Sequence, residues 1–237
     1  METIHNYRHI VDGKTAKIFE KALCKAIASK PYKKIGFIGI ILDYKKKEHH
    51  DLDVLIFPQK NVKIGESILE VMELYKETEK ELKKIHERYY LATASRKITQ
   101  ELTYYLAGLE EGSAGLVPVH SLFFPDYKSF IKYNPEKFVE SIKDHLIELH
   151  GKFEIIKDIP EIPQEKLEPY FVILDFEMNA RIRTFPRHNI RASAESLFNY
   201  LKDKYDLEVN AKIPEKIEEI EKEFKKLIML IDKRTYG

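Results

Sequence analysis

Asp51 and Asp53 flank a leucine at the head of an apolar run that stops at Pro58. Along a β-strand successive side chains alternate between faces, so the two aspartates share one face while Leu52 turns toward the core. Carboxylates that close repel each other and need a positive charge between them. A hard divalent cation such as Mg2+ suits oxygen donors of this kind and brings a triphosphate with it. The bland reading of the same residues is a solvated strand entrance. His49 and His50 precede the pair. On one continuous strand His49, Asp51 and Asp53 would line a common face, a donor set for Zn or Mn; the competing reading is an exposed loop–strand junction.

A second concentration lies between Arg181 and Arg191, where eleven residues hold four of the chain's eight arginines and no acid. The guanidinium is a planar fork that matches phosphate oxygens in pairs, which lysine does not. In a chain that otherwise uses lysine, Arg181, Arg183, Arg187 and Arg191 read as an anion site for a triphosphate or a nucleic-acid backbone. A solvated basic loop, or ion pairs to the acid-rich C-terminal helix, is the alternative. Lys45-Lys-Lys47 reads as a solvated run, although its place just before the aspartates would let Lys45 meet phosphates. Gly13-Lys14-Thr15 imitates the end of a phosphate-binding loop, but Arg8 stands where the first glycine belongs and no apolar strand leads in. Cys24 falls near the apolar face of a helix and reads as a small core residue. The 14 tyrosines and 13 phenylalanines fall at core periods and form no base-stacking array.

The elements that must position these residues follow from periodicity. Ile18, Phe19, Ala22, Leu23, Ala26 and Ile27 predict a helix over about 14–29, capped by Asp12 and closed by Lys30-Pro31. The apolar runs 35–42 and 51–57 predict two buried strands. A long helix is expected over about 64–88, a strand over 89–93, a helix over 98–107 and a third buried strand over 116–124. Asn134 caps a predicted helix that has Pro135 at its first position, buries Phe138, Ile142, Leu146 and Leu149, and stops at Gly151. Residues 152–169 are proline-bearing without a clear period and read as a linker or extended crossing segment. Helices are expected over about 193–205 and 214–233. Residues 170–183 fit both a strand and a helical stripe, with helix preferred because helices follow. The domain reading is an α/β domain over 1–151, the linker over 152–169, and a mainly helical domain over 170–237.

The glycine-bearing strand Ile35-Gly-Phe-Ile-Gly39 and the strand His50-Asp-Leu-Asp-Val-Leu-Ile-Phe-Pro58, with a helix before the first and after the second, resemble the DNA polymerase β-like nucleotidyltransferase superfamily. The resemblance covers about 14–125. It implies an α/β (α+β) fold, a mixed sheet flanked by helices, here with a helical C-terminal extension. It also implies Mg2+-dependent transfer of a nucleoside monophosphate from NTP to a hydroxyl acceptor. Asp51 and Asp53 would hold the metal, and a turn at Gly36 and Gly39 would let the triphosphate approach the backbone. Two departures point to a degenerate member. Ile40 replaces the family's serine after the glycine, and the family's third carboxylate has no clean match. His120 stands where that acid is sought, and Asp175 or Glu177 could supply it only if 170–183 is a strand. The alternative is therefore a non-catalytic module of the same fold that binds nucleotide, nucleic acid or a protein partner; a plain structural protein is a third option.

Composition bounds these readings. The chain has 237 residues, 43% of them hydrophobic and 33% charged. That is enough apolar mass for a sizeable core and excludes a disordered chain. Basic and acidic residues number 40 and 39, a net charge of +1, so nucleic-acid binding would need local clustering rather than bulk charge. One cysteine excludes a disulfide framework or a CxxC site within one chain. No apolar run approaches the ~20 residues of a membrane span, and the N-terminus lacks a secretory pattern, so a cytoplasmic protein is expected. Lysine and glutamate enrichment with little glutamine is the composition of a heat-adapted organism.

Overall fold

Asp12 caps the first helix: its Oδ1 accepts a 2.7 Å hydrogen bond from the Thr15 amide, and that bond holds its carboxyl below the usual range. A computed structural model describes residues 11–49, 52–85, 90–93, 116–159, 166, 168–170, 173, 187–207 and 217–237. Helix α1 (Gly13–Ser29) follows the cap and buries Ala16, Phe19, Ala22, Leu23 and Ala26. It closes at Lys30, which is extended (φ −159°, ψ 158°), as a residue before proline must be.

The predicted apolar strands are β2 (Ile35–Ile41) and β4 (Leu52–Pro58), paired antiparallel with Ile41 opposite Asp53 and Phe37 opposite Phe57. A separate two-residue ladder joins β1 (Val11–Asp12) to β3 (Glu48–His49). Helix α2 (Ile64–Ile85) returns along the sheet, and β5 (Tyr90–Thr93) and β6 (Leu116–Phe123) add parallel strands beyond β4. With β7 (Leu146–His150) on the far side of β2, the sheet order is β5-β6-β4-β2-β7, a five-stranded mixed sheet. The fold is thus mixed α/β, with helices on both faces. One face packs α1, α2, α5 (Arg187–Tyr205) and α6 (Ile217–Tyr236) into a single core with Ile38, Ile40, Val54, Ile56, Val119 and Phe123. The other face carries α3 (Tyr127–Tyr133), α4 (Glu136–His145) and a 3-10 helix (Phe153–Asp158) over Phe37, Leu55, Phe57, Leu122 and Phe124.

The structure corrects four local expectations. The helix expected to run to Gly151 ends at His145, and Leu146–His150 is strand β7. Leu146 packs against the α3/α4 core while Ile147 and Leu149 pack on the opposite one, the two-face pattern of a strand. The ladder satisfies the outer edge of β2, which would otherwise leave buried amides and carbonyls unpaired. Asn134 does not cap α4, since Pro135 holds the N-cap place and the Asn134 amide instead donates to the Phe130 carbonyl at 2.7 Å. The start of 152–169 is no extended crossing but the 3-10 helix, whose Phe153 ring meets Phe37, Phe57, Tyr127 and Phe130. Cys24 is exposed on α1 rather than in the core. Helix α5 starts six positions before its expected 193. The expected helix over 98–107 lies outside the described residues. Of 170–183 only Tyr170 and Ile173 are described, both helical.

Helix α6 ties the ends of two other helices. The Gly65 amide donates to Asp232 Oδ1 (2.9 Å), Tyr170 Oη donates to the same oxygen (2.6 Å), and the Ile64 amide donates to Tyr236 Oη (3.1 Å). Arg234 donates to the carbonyls of Tyr205 and Asp206 at the C-terminal end of α5.

Burial raises the phenols of Tyr32, Tyr170 and Tyr236 above their ordinary value. The unfolded chain therefore loses these protons first, near pH 10, while the folded chain keeps them. With fewer protons on the unfolded state, stability falls as pH rises. The denaturation midpoint should be level below about pH 9 and decline progressively above pH 10. Parallel urea titrations across this range would test it, and a midpoint that rises above pH 10 would refute it.

Candidate functional site

Alternation along β4 decides where Asp53 lies. Leu52, Val54 and Ile56 pack into the α1/α2 core, whereas Leu55 and Phe57 pack into the α3/α4 core. Asp53 shares the second face, at its open end. Strand β6 repeats the pattern, with Val119 and Phe123 on the α1/α2 side and Leu122 and Phe124 on the other. His120 therefore joins Asp53, and the parallel register sets the two residues directly opposite each other. His120 Nδ1 lies 3.0 Å from Asp53 Oδ1. Their side chains are 30% and 23% exposed, open enough to meet a ligand. Behind them come Leu55 and Leu122, then the ring cluster of Phe57, Phe124, Phe130 and Phe153. The pair sits at the wet rim of a dry aromatic core, where a charge interaction is screened less than in bulk water.

The residues expected at the site are only partly brought together. Asp51, Asp175, Glu177, Arg181 and Arg183 lie outside the described residues, as does His50. Arg187 and Arg191 fall in the first turns of α5, four positions apart and so on one side of the helix. His49 belongs to β3, paired with Val11, whereas Asp53 belongs to β4, so the two do not share one strand. Gly36 and Gly39 form no turn. Both lie inside β2, which runs on to Ile41 with neighbours on both sides. A Cβ at Gly39 would meet Leu146 Cδ1 at 2.6 Å and the Phe37 ring at 2.8 Å, and one at Gly36 would meet the Pro58 carbonyl at 2.7 Å. Close packing inside the protein therefore explains both glycines, and no space is left beside them for a phosphate. The position after Gly39, Ile40, is fully buried on the α1/α2 face.

Lys45 is exposed in the loop that leads toward β4, at the same end of the sheet as Asp53. Its amide donates to Asp43 Oδ1 at 3.0 Å and the Lys46 amide to the Asp43 carbonyl at 3.0 Å, a local turn that sets the lysines outward. The start of α1 is not a phosphate loop, because Asp12 already occupies the Thr15 amide there. Cys24 lines an open groove of about 620 Å³ with Lys17, Lys25, Tyr44, Glu81 and Ile85. Partial desolvation and the Glu20 carboxylate push its thiol up, the opposite of nucleophilic activation. The same combination raises the Tyr44 phenol to about 12. This groove runs along α1 and α2, on the sheet face opposite Asp53.

The direct contact of Asp53 with His120 goes beyond the sequence reading, which set His120 only at the place of a sought carboxylate. The alternation of Val119, His120, Ser121 and Leu122 adds a signal, since it separates His120 from the buried valine. Among the described residues no three His, Cys, Asp or Glu side chains assemble as a metal cluster, and no helix is long and apolar enough to cross a membrane. No protein-family model, curated protein or solved structure matches the chain.

Proposed function

We propose that the chain is a nucleotidyltransferase-like protein that binds an NTP through a divalent cation at Asp53 and transfers the nucleoside monophosphate to a hydroxyl acceptor, releasing pyrophosphate. The observation that carries this reading is the placement of Asp53. It projects from the second strand of an antiparallel β2–β4 pair, preceded by α1 and followed by α2, with a parallel third strand alongside. A partly exposed carboxylate with one oxygen held by His120 fits Mg2+, which takes few protein oxygens and keeps its remaining positions for water and phosphate. Asp53, with Asp51, would hold the cation, and bound Mg2+ would neutralise charge on the transferring phosphoryl group. Lys45, Arg181, Arg183, Arg187 and Arg191 are the cationic side chains proposed to meet the triphosphate or a nucleic-acid acceptor. The packed surroundings of Gly36 and Gly39 assign those residues to the fold rather than to the nucleotide.

Calorimetry with each NTP, with and without Mg2+, tests the reading. Binding should require Mg2+ and weaken about tenfold or more in Asp53→Asn, because one charged ligand to the cation is lost. Unchanged binding in Asp53→Asn would place the nucleotide elsewhere. A second reading, a binding module without catalysis, is favoured by the imidazole of His120 standing where the resemblance expects a carboxylate. Nucleotide binding without pyrophosphate release, over a panel of hydroxyl acceptors, would establish that version.

A further inference from the structure

We propose that His120 is the positioning residue of the Asp53 site. As the Nδ1–H tautomer it holds one carboxylate oxygen and leaves the other to a divalent cation. The inference rests on the reading of Asp53 as a cation ligand and assigns the residue that orients it. The β4–β6 register brings the two side chains opposite each other across a parallel pair, with His120 Nδ1 3.0 Å from Asp53 Oδ1. An ionised carboxylate only accepts, so the contact is a hydrogen bond only when the imidazole proton sits on Nδ1. Among the described residues the Asp53 side chain has no other hydrogen-bond partner, and this contact fixes the turn of its carboxylate. A partner that fixes a ligating carboxylate makes the cation site pre-formed and raises its affinity. A second carboxylate opposite Asp53 would repel it, whereas an Nδ1–H donor restrains it without competing for the cation.

The test uses Mn2+ alone as a probe, with binding followed by electron paramagnetic resonance, and 15N NMR of histidine-labelled protein at alkaline pH. His120 should show the Nδ1–H tautomer in the native chain and move toward Nε2–H in Asp53→Ala. Mn2+ affinity should fall about tenfold or more in His120→Ala, the size of one lost hydrogen bond to a charged group. It should return in His120→Asn, whose amide can place an N–H where Nδ1–H stood, a rescue that loss of packing alone would not show. An Nε2–H tautomer in the native chain, equal Mn2+ affinity in native and His120→Ala protein, or no Mn2+ binding by the native chain would each overturn the proposal. Mn2+ binding with the expected His120 dependence but no NTP binding would overturn the nucleotide reading and leave this assignment standing.

Discussion

Asp232→Ala is expected to lower the free energy of unfolding by about 3–4 kcal/mol, the range for breaking a buried charged hydrogen-bond set on one side. Asp232 is 7% exposed and accepts from the Gly65 amide at 2.9 Å and from Tyr170 Oη at 2.6 Å. It works as an N-terminal cap for α2 supplied from 167 positions away. Its charge faces the positive end of that helix, which adds to the hydrogen bonds. Alanine would leave a helix-terminal amide and a phenol buried without partners, at a desolvation cost of about 1–3 kcal/mol each. The fit is close enough to be specific: a Cβ on Gly65 would lie 2.5 Å from Asp232 Oδ2. Tyr170→Phe should cost about 1 kcal/mol alone, and the double variant less than the sum, because the two share one oxygen. Urea denaturation of the four proteins would measure the cycle. A loss under 1 kcal/mol for Asp232→Ala, or strict additivity, would show that α6 does not hold α2 through this carboxylate.

Gly151→Ala is expected to cost about 3 kcal/mol or more, summing backbone strain and forced separation of packed strands. Gly151 has φ +70°, in the left-handed region that side chains rarely enter. A Cβ there would lie 2.0 Å from the Gly36 carbonyl oxygen and 3.1 Å from its carbon. Those are backbone atoms of the interior strand β2, so no side-chain rotation relieves the clash; β7 must move away from β2 and lose part of its ladder. Gly39→Ala offers the contrast. Its new Cβ would meet Leu146 and Phe37 side chains, which can turn aside, so about 1–2 kcal/mol is expected. Equal losses in the two variants, measured by thermal or urea unfolding, would mean that β7 shifts freely and that the turn at Gly151 is not a constraint.

What the sequence determined by itself is local. The proline after Lys30 stops α1 because of a clash between neighbouring residues, and the carboxylate of Asp12 caps it three residues on. The largely apolar runs of β2 and β4 and the inward stripe of α2 are likewise written in their own spacing. So was the separation of Asp53 from Leu52 across a strand.

Only tertiary structure decided the rest. Leu146–His150 is too short for its period to choose between helix and strand, and the unpaired edge of β2, about a hundred residues earlier, made the choice. The face of the sheet that Asp53 occupies was undecidable from β4, because Leu52, Val54, Leu55, Ile56 and Phe57 are all apolar and both faces are covered by helices. The glycines that looked like room for a phosphate proved to be room for Leu146, Phe37 and Pro58. The meeting of Asp53 with His120 depends on the register between β4 and β6, set by packing on both faces over a separation of 67 residues. No local propensity carries that information, since a shift of one residue would send His120 to the opposite face and leave Asp53 without its partner.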